Sequence, residues 1–197
     1  PQTAWVHWTS FIVSMLEIAI LLKLFVDLGK LVRKRSAQQE GPDRPTALLL
    51  SCATVWTSML LTLAMLISVP PVNALIHGTH VVAAHAMGSM IGIDSMILWA
   101  AVSHLLGSVG ARSGSDRGAG AAARWVLAVN VSLAAMFGVF LVNGCLTGWK
   151  RYLGPSGPDI STWTDAFPGI MSVAGAALAV SILALQGVWT RAILRSR

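Results

Sequence analysis

The chain has 197 residues, of which 55% are hydrophobic and 11% charged, and its mean hydropathy is +0.69. A soluble domain carries about a quarter charged residues, so a water-soluble globule is a poor fit. So is a nucleic-acid binder: the net charge of +6 comes from basic residues grouped in short stretches between long apolar runs.

Five apolar runs reach the roughly 20 residues that a spanning helix needs: about 8–32, 46–69, 73–106, 125–146 and 166–194. The expected fold is therefore all-α and membrane-embedded, a single domain over 1–197. No alternating ten-residue pattern suggests a barrel. The third run is long enough to tilt or project beyond the bilayer. The connection after the first run holds Lys30, Arg33, Lys34, Arg35 and Arg44, and the one after the third holds Arg112, Arg117 and Arg124. The tail holds Arg191, Arg195 and Arg197, whereas Lys150 and Arg151 stand alone on the opposite side. The positive-inside rule then puts the N-terminus outside and the C-terminus in the cytoplasm. Trp5, Trp8, Trp149 and Trp163 fall at the outer interface of that frame, and Trp99, Trp125 and Trp189 toward the inner one. Residues 111–123, rich in Gly, Ala and Ser, read as a cytoplasmic linker. Residues 150–165 read as an ordered outer loop, with kinks at Gly154 and Pro155, Gly157 and Pro158, and Pro168. Cys52 and Cys145 lie inside apolar runs without metal-type spacing, which predicts neither a disulfide nor a zinc site.

Ionisable residues inside a membrane are costly and mark function. The third run contains His77, His80, His85, Asp94 and His104. At about 100° per residue, Gly78, Val81, Ser89 and Gly92 share the face of His85, and three of those four are Gly or Ser. Such a face leaves a flat slot beside an imidazole, which suits a porphyrin. It also suits a close helix–helix contact with a hydrogen-bonded histidine. Met87 points to the opposite face with His80 and Asp94, either as core filler or as an axial ligand. His85 lies roughly 18 Å along its helix from the outer face, and Glu17 roughly 14 Å along the first, so a buried carboxylate and the candidate ligand share a level. Lys23 is six residues from Glu17 and pairs better with Asp27 at i+4.

The run 72–92 (VNALIHGTHVVAAHAMGSMIG) resembles the tenth helix of the large subunit of bacterial nitric oxide reductases, members of the heme–copper oxidase superfamily. The elements that match are Val72 and Asn73; His77, Gly78 and Thr79; Ala83, Ala84 and His85; and Gly92. Upstream, SFIVSMLE at 10–17, followed by an apolar run and VRKRS, is similar to that subunit's eighth helix and cytoplasmic turn. The resemblance thus takes the chain as the last five of twelve helices, the final two by hydropathy alone. It implies that His85 is the axial ligand of the high-spin heme, where two NO molecules become nitrous oxide and water. It further implies that Glu17 is a catalytic carboxylate supplying protons, and that His77 and Thr79 lie near the heme propionates, with Gly78, Ser89 and Gly92 forming the slot. The family's second histidine, for the low-spin heme, is Met87 in this chain, a candidate ligand in its place.

The three histidines that hold the family's non-heme iron belong to helices this chain does not contain, so that iron is expected in a partner. The implied cofactors are one or two hemes b, shared with the partner. The implied partners are a separate N-terminal half of the catalytic subunit and a cytochrome c-type subunit or soluble cytochrome on the outer side. Pro1, a residue before which an initiator methionine is commonly removed, favours a naturally split subunit over a fragment. The expected location is the bacterial inner membrane. The alternatives are a piece of a cbb3-like oxygen reductase, whose family shares the VNAL and HxT elements, and a non-catalytic heme-carrying or structural subunit. A proton-relaying transporter is a third, opposed by the absence of internal repeats.

Overall fold

The computed structural model describes residues 4–36, 44–108, 116–157 and 159–195. It consists of helices α1 (Ala4–Ser36), α2 (Arg44–Ser68), α3 (Pro70–Ile76), α4 (His80–Met87), α5 (Met96–Ser108), α6 (Asp116–Leu153) and α7 (Ser161–Arg195). A π-helical segment, Gly88–Ser95, joins α4 to α5 without a break, and a single 3₁₀ turn, Gly154–Ser156, follows α6. There is no strand among the described residues. Four helical stretches are long and apolar enough to cross a membrane: Arg44–Ser68, His80–Ser108, Gly120–Ser156 and Ser161–Leu194. That is the pattern of an all-α, multi-pass membrane protein. α1, with 33 residues, is longer than two of them, but Glu17, Lys23, Asp27 and Lys30 interrupt its apolar sequence, and it is not among the four.

Each packed helix buries one stripe at helical spacing. In α2 the stripe is Leu49, Ala53, Trp56 and Leu60; in α6 it is Ala122, Val126, Val129, Leu133 and Phe137; in α7 it is Leu178, Leu185 and Trp189. These stripes meet in one core with Ala84, Met96, Trp99 and Ala100. The opposite faces expose Val55, Val131, Val173 and Leu183, apolar surface that lipid covers. Between helices in lipid the hydrophobic term largely vanishes, because the tails are as apolar as leucine; packing and polar contacts decide. Such contacts fix both ends of the bundle. At one end Thr46 Oγ1 and Ser103 Oγ are 2.9 Å apart. At the other, Arg151 Nη1 donates to the His77 carbonyl at 3.0 Å. α2 and α6 therefore run one way, and the His80–Ser108 helix and α7 the other.

The run expected as one span from residue 73 is broken, and the spanning helix starts at His80. Pro70 opens α3 at its first helical position, where a missing N–H costs nothing. Gly78 then adopts φ +70°, a left-handed conformation open to glycine. Thr79 closes the break: its hydroxyl donates to the Ile76 carbonyl at 2.7 Å and accepts from the Val81 amide at 3.4 Å.

Two connections also differ from expectation. The linker expected at 111–123 is helical from Asp116 onward, with Ala122 buried against the core, because alanine is the strongest helix former; residues 109–115 lie outside the described set. The outer loop shrinks to a few residues after Leu153, since Ser161 already starts α7. Pro168 sits inside α7 rather than in that loop, and Ser172 Oγ donates to its carbonyl at 2.8 Å, the kind of side-chain bond that lets membrane helices tolerate proline. Pro158 lies outside the described residues. The pair expected between Lys23 and Asp27 is present at 2.8 Å.

Candidate functional site

A pocket of about 480 Å³ lies between α1, α2 and the third spanning helix, within the size range of small-molecule sites. His85, Ser89 and Ile93, at successive i+4 positions, line it from one side. Glu17, expected as a buried carboxylate but exposed in the structure, lines it from α1 with Ser14, Ile18 and Leu21. Thr57, Leu60, Leu61, Ala64 and Ser68 complete it from α2. The walls are thus mainly aliphatic, and the polar groups are one imidazole, one carboxylate and a few hydroxyls. Ser89 Oγ is occupied by the His85 carbonyl at 3.1 Å. The His85 ring is different: its Nδ1 is buried and has no hydrogen-bond partner among the described residues. A buried polar atom left unpaired costs about 1–3 kcal/mol.

The other residues singled out in the sequence are not brought to this pocket. Gly92 packs under the Trp56 ring and Gly88 under Leu60 and Phe137; Gly92 serves close contact with α2, and Gly88 with α2 and α6. Gly92 leaves the His85 face because the π segment turns the chain through less than 100° per residue, so the error of a uniform wheel grows along that segment: Ser89 stays beside His85 and Gly92 does not. Gly78 lies at the helix break, outside the helix that carries His85. Thr79 is buried as a cap, and His77 is exposed at the end of α3, its backbone amide bonded to the Asn73 carbonyl at 2.8 Å. Met87 is half-buried and packs against the core. Asp94 and His104 are exposed.

Two arrangements escaped the sequence reading. On the far side of α4, His80 Nδ1 lies 2.8 Å from Asn143 Nδ2, and Trp163 Nε1 donates to Asn143 Oδ1 at 3.0 Å. The His80 ring also stacks on Phe140 and meets Phe167 edge-on. An asparagine in the middle of an apolar helix was the available signal. The second is the pair Gly144 and Gly148, a G-x-x-x-G spacing in α6. A side chain at Gly144 would strike the backbone of Val81, and one at Gly148 the carbonyl of Leu75, so these glycines let α6 lie directly against α3 and α4.

The donor set decides what the pocket could hold. Among the described residues no three His, Cys, Asp or Glu gather in a metal-holding group, so a metal ion caged by this chain alone does not fit. A largely apolar group liganded by one imidazole is compatible with the aliphatic walls and with His85 on the lining. No protein-family model, curated protein or solved structure matches the chain.

Proposed function

We propose that the chain is the C-terminal half of a split, heme-containing catalytic subunit of the nitric oxide reductase type. In this reading it crosses the bacterial inner membrane five times, α1 included, with the N-terminus outside. The single observation that carries the proposal is that Glu17 and His85, 68 positions apart in sequence, line one apolar-walled pocket. The resemblance assigns the same two residues to one reaction centre. A heme bound there supplies the iron at which NO is reduced to nitrous oxide.

Each residue has a distinct task. His85 would hold the heme through its imidazole. Glu17, on the α1 wall of the pocket, would pass protons through its carboxylate to a substrate bound there. The missing metal ligands and the electron entry belong to partners: a separate N-terminal half with the non-heme iron, and a cytochrome c-type protein on the outer side.

The test is the heme content of the full-length chain purified with its associated subunits, read by pyridine hemochrome, alongside NO consumption. Heme b is expected in the native complex, lost in His85→Ala and kept in Glu17→Gln, which is expected to lose NO consumption instead. A native complex without heme, or a His85→Ala complex with an unchanged spectrum, overturns the reading. A second reading, a heme carrier without catalysis, is favoured by Met87, which packs against the core at the position of the family's second ligand. It predicts heme in the native complex and no NO consumption.

A further inference from the structure

A second cavity, of about 680 Å³, opens between α2 and α6, far from the first pocket and on the end of the bundle marked by Thr46 and Ser103. Its lining is Arg44, Leu48, Gly120, Ala123, Arg124 and Leu127. Two guanidinium groups from different helices thus border one space. The ion pairs among the described residues involve neither of them. Guanidinium stays charged at any physiological pH, and its planar fork matches the oxygens of a phosphate.

The order of chemistry along the cavity is informative. Arg44 opens α2, and Leu48 follows one turn deeper; Arg124 is followed by Leu127 on the same face of α6. Charge therefore lies at the membrane edge and apolar wall lies inward, the sequence of a phospholipid read from headgroup to acyl chain. Basic pockets between spanning helices are where anionic headgroups bind. A free phosphate would use the arginines but not the leucines below them. We propose that this cleft binds an anionic glycerophospholipid, its phosphate between Arg44 and Arg124 and its first acyl carbons along Leu48 and Leu127. The site does not depend on the heme reading.

Gly120 supplies a clean test, because a side chain built there meets nothing within 4 Å. Gly120→Phe fills the cleft while keeping both arginines. The experiment is native mass spectrometry of the full chain in detergent, titrated with phosphatidylglycerol or phosphatidylcholine. The native chain is expected to retain one phosphatidylglycerol with a preference of about tenfold over phosphatidylcholine. Arg44→Gln with Arg124→Gln is expected to erase that preference, and Gly120→Phe to erase retention. Lys150→Gln with Arg151→Gln, at the other end of the bundle, should leave both unchanged. Should the double arginine variant fail to insert, Gly120→Phe decides alone. The proposal falls if either cleft variant keeps the native preference, or if the control pair loses it equally. It also falls if millimolar inorganic phosphate displaces the lipid and is itself retained, since the site would then be one for soluble phosphate.

Discussion

His80 and His85 lie five residues apart on one helix, and their surroundings are opposite. Toward α6 and α7, the Nδ1 of His80 has a partner that is itself held in place. The indole N–H of Trp163 can only donate, so Asn143 Oδ1 accepts and its Nδ2 donates; His80 Nδ1 must then accept. That chain of donors settles the tautomer with its proton on Nε2, and the Phe140 and Phe167 rings hold the imidazole in place. Toward α1 and α2, His85 meets an open pocket, and its buried Nδ1 has nothing to bond. Satisfied polar networks rigidify a fold, and half-satisfied ones are where a ligand or partner belongs. The comparison separates a histidine whose Nδ1 is held by a neighbour from one whose Nδ1 is not.

The most severe test exchanges the two roles. His85→Ala is expected to remove essentially all heme from the purified complex with little change in its thermal unfolding. His80→Ala should keep the heme and lower the unfolding midpoint. If His80→Ala removes heme as completely, the two sides of the helix are not distinct and the comparison fails. Next in size is Gly144→Leu. Its side chain would have to occupy the backbone position of Val81, a place no rotamer change can clear. Overpacking of this kind costs about 3 kcal/mol. The expected result is a chain that unfolds at markedly lower denaturant and exposes α4 to protease, whereas the same change at Gly138, where an added side chain meets nothing within 4 Å, should be nearly neutral.

These two variants also mark what the amino-acid sequence discloses. The four apolar stretches were legible from length and hydropathy, and the Lys23–Asp27 pair from i+4 spacing alone, because both depend on residues close in sequence. Glu17 and His85 were placed at one level by counting residues from the outer face, and the fold brings them to one pocket. The slot of glycines was not legible. Counting at 100° per residue assumes one uninterrupted α-helix, but Gly78 ends one helix and Thr79 caps another, and the π segment at Gly88–Ser95 shifts all that follows. Within that segment Gly88 and Gly92 pack against Trp56, Leu60 and Phe137, which are distant in sequence. The Arg44–Arg124 cleft was hidden for the same reason, since each arginine alone reads only as a positive-inside charge.

A milder variant probes the satisfied side. Asn143→Ala leaves both Trp163 Nε1 and His80 Nδ1 without their partner. Interhelical hydrogen bonds in membranes average about 0.6 kcal/mol each, so the loss of two is expected to cost roughly 1 kcal/mol. Trp163→Phe removes only the first of the two bonds and should lose less. Unfolding in mixed detergent micelles, with the two variants compared, measures the difference. An Asn143→Ala chain as stable as the native one would show that the ring packing, not the polar network, holds His80.

The smallest expected effect lies outside the membrane, just before α7. Asp159 Oδ1 accepts from the Ser161 amide at 2.9 Å, and that bond holds its carboxyl below the ordinary aspartate value near 3.8, with Lys150 adding a lesser pull in the same direction. A carboxylate whose folded value is lowered contributes its stabilisation fully above the ordinary value, and loses it as pH falls through the lowered one. The first turn of α7 should therefore fray more below about pH 4, seen as faster amide exchange at Ser161 and its neighbours. Asn at this position still offers an oxygen to the Ser161 amide but does not titrate, so Asp159→Asn should remove the pH dependence and keep the turn. Asp159→Ala should fray it at every pH. If exchange in the native chain is flat through that acidic range, the carboxylate does not hold this turn, and the Trp163 bond to Asn143 alone fixes where α7 begins.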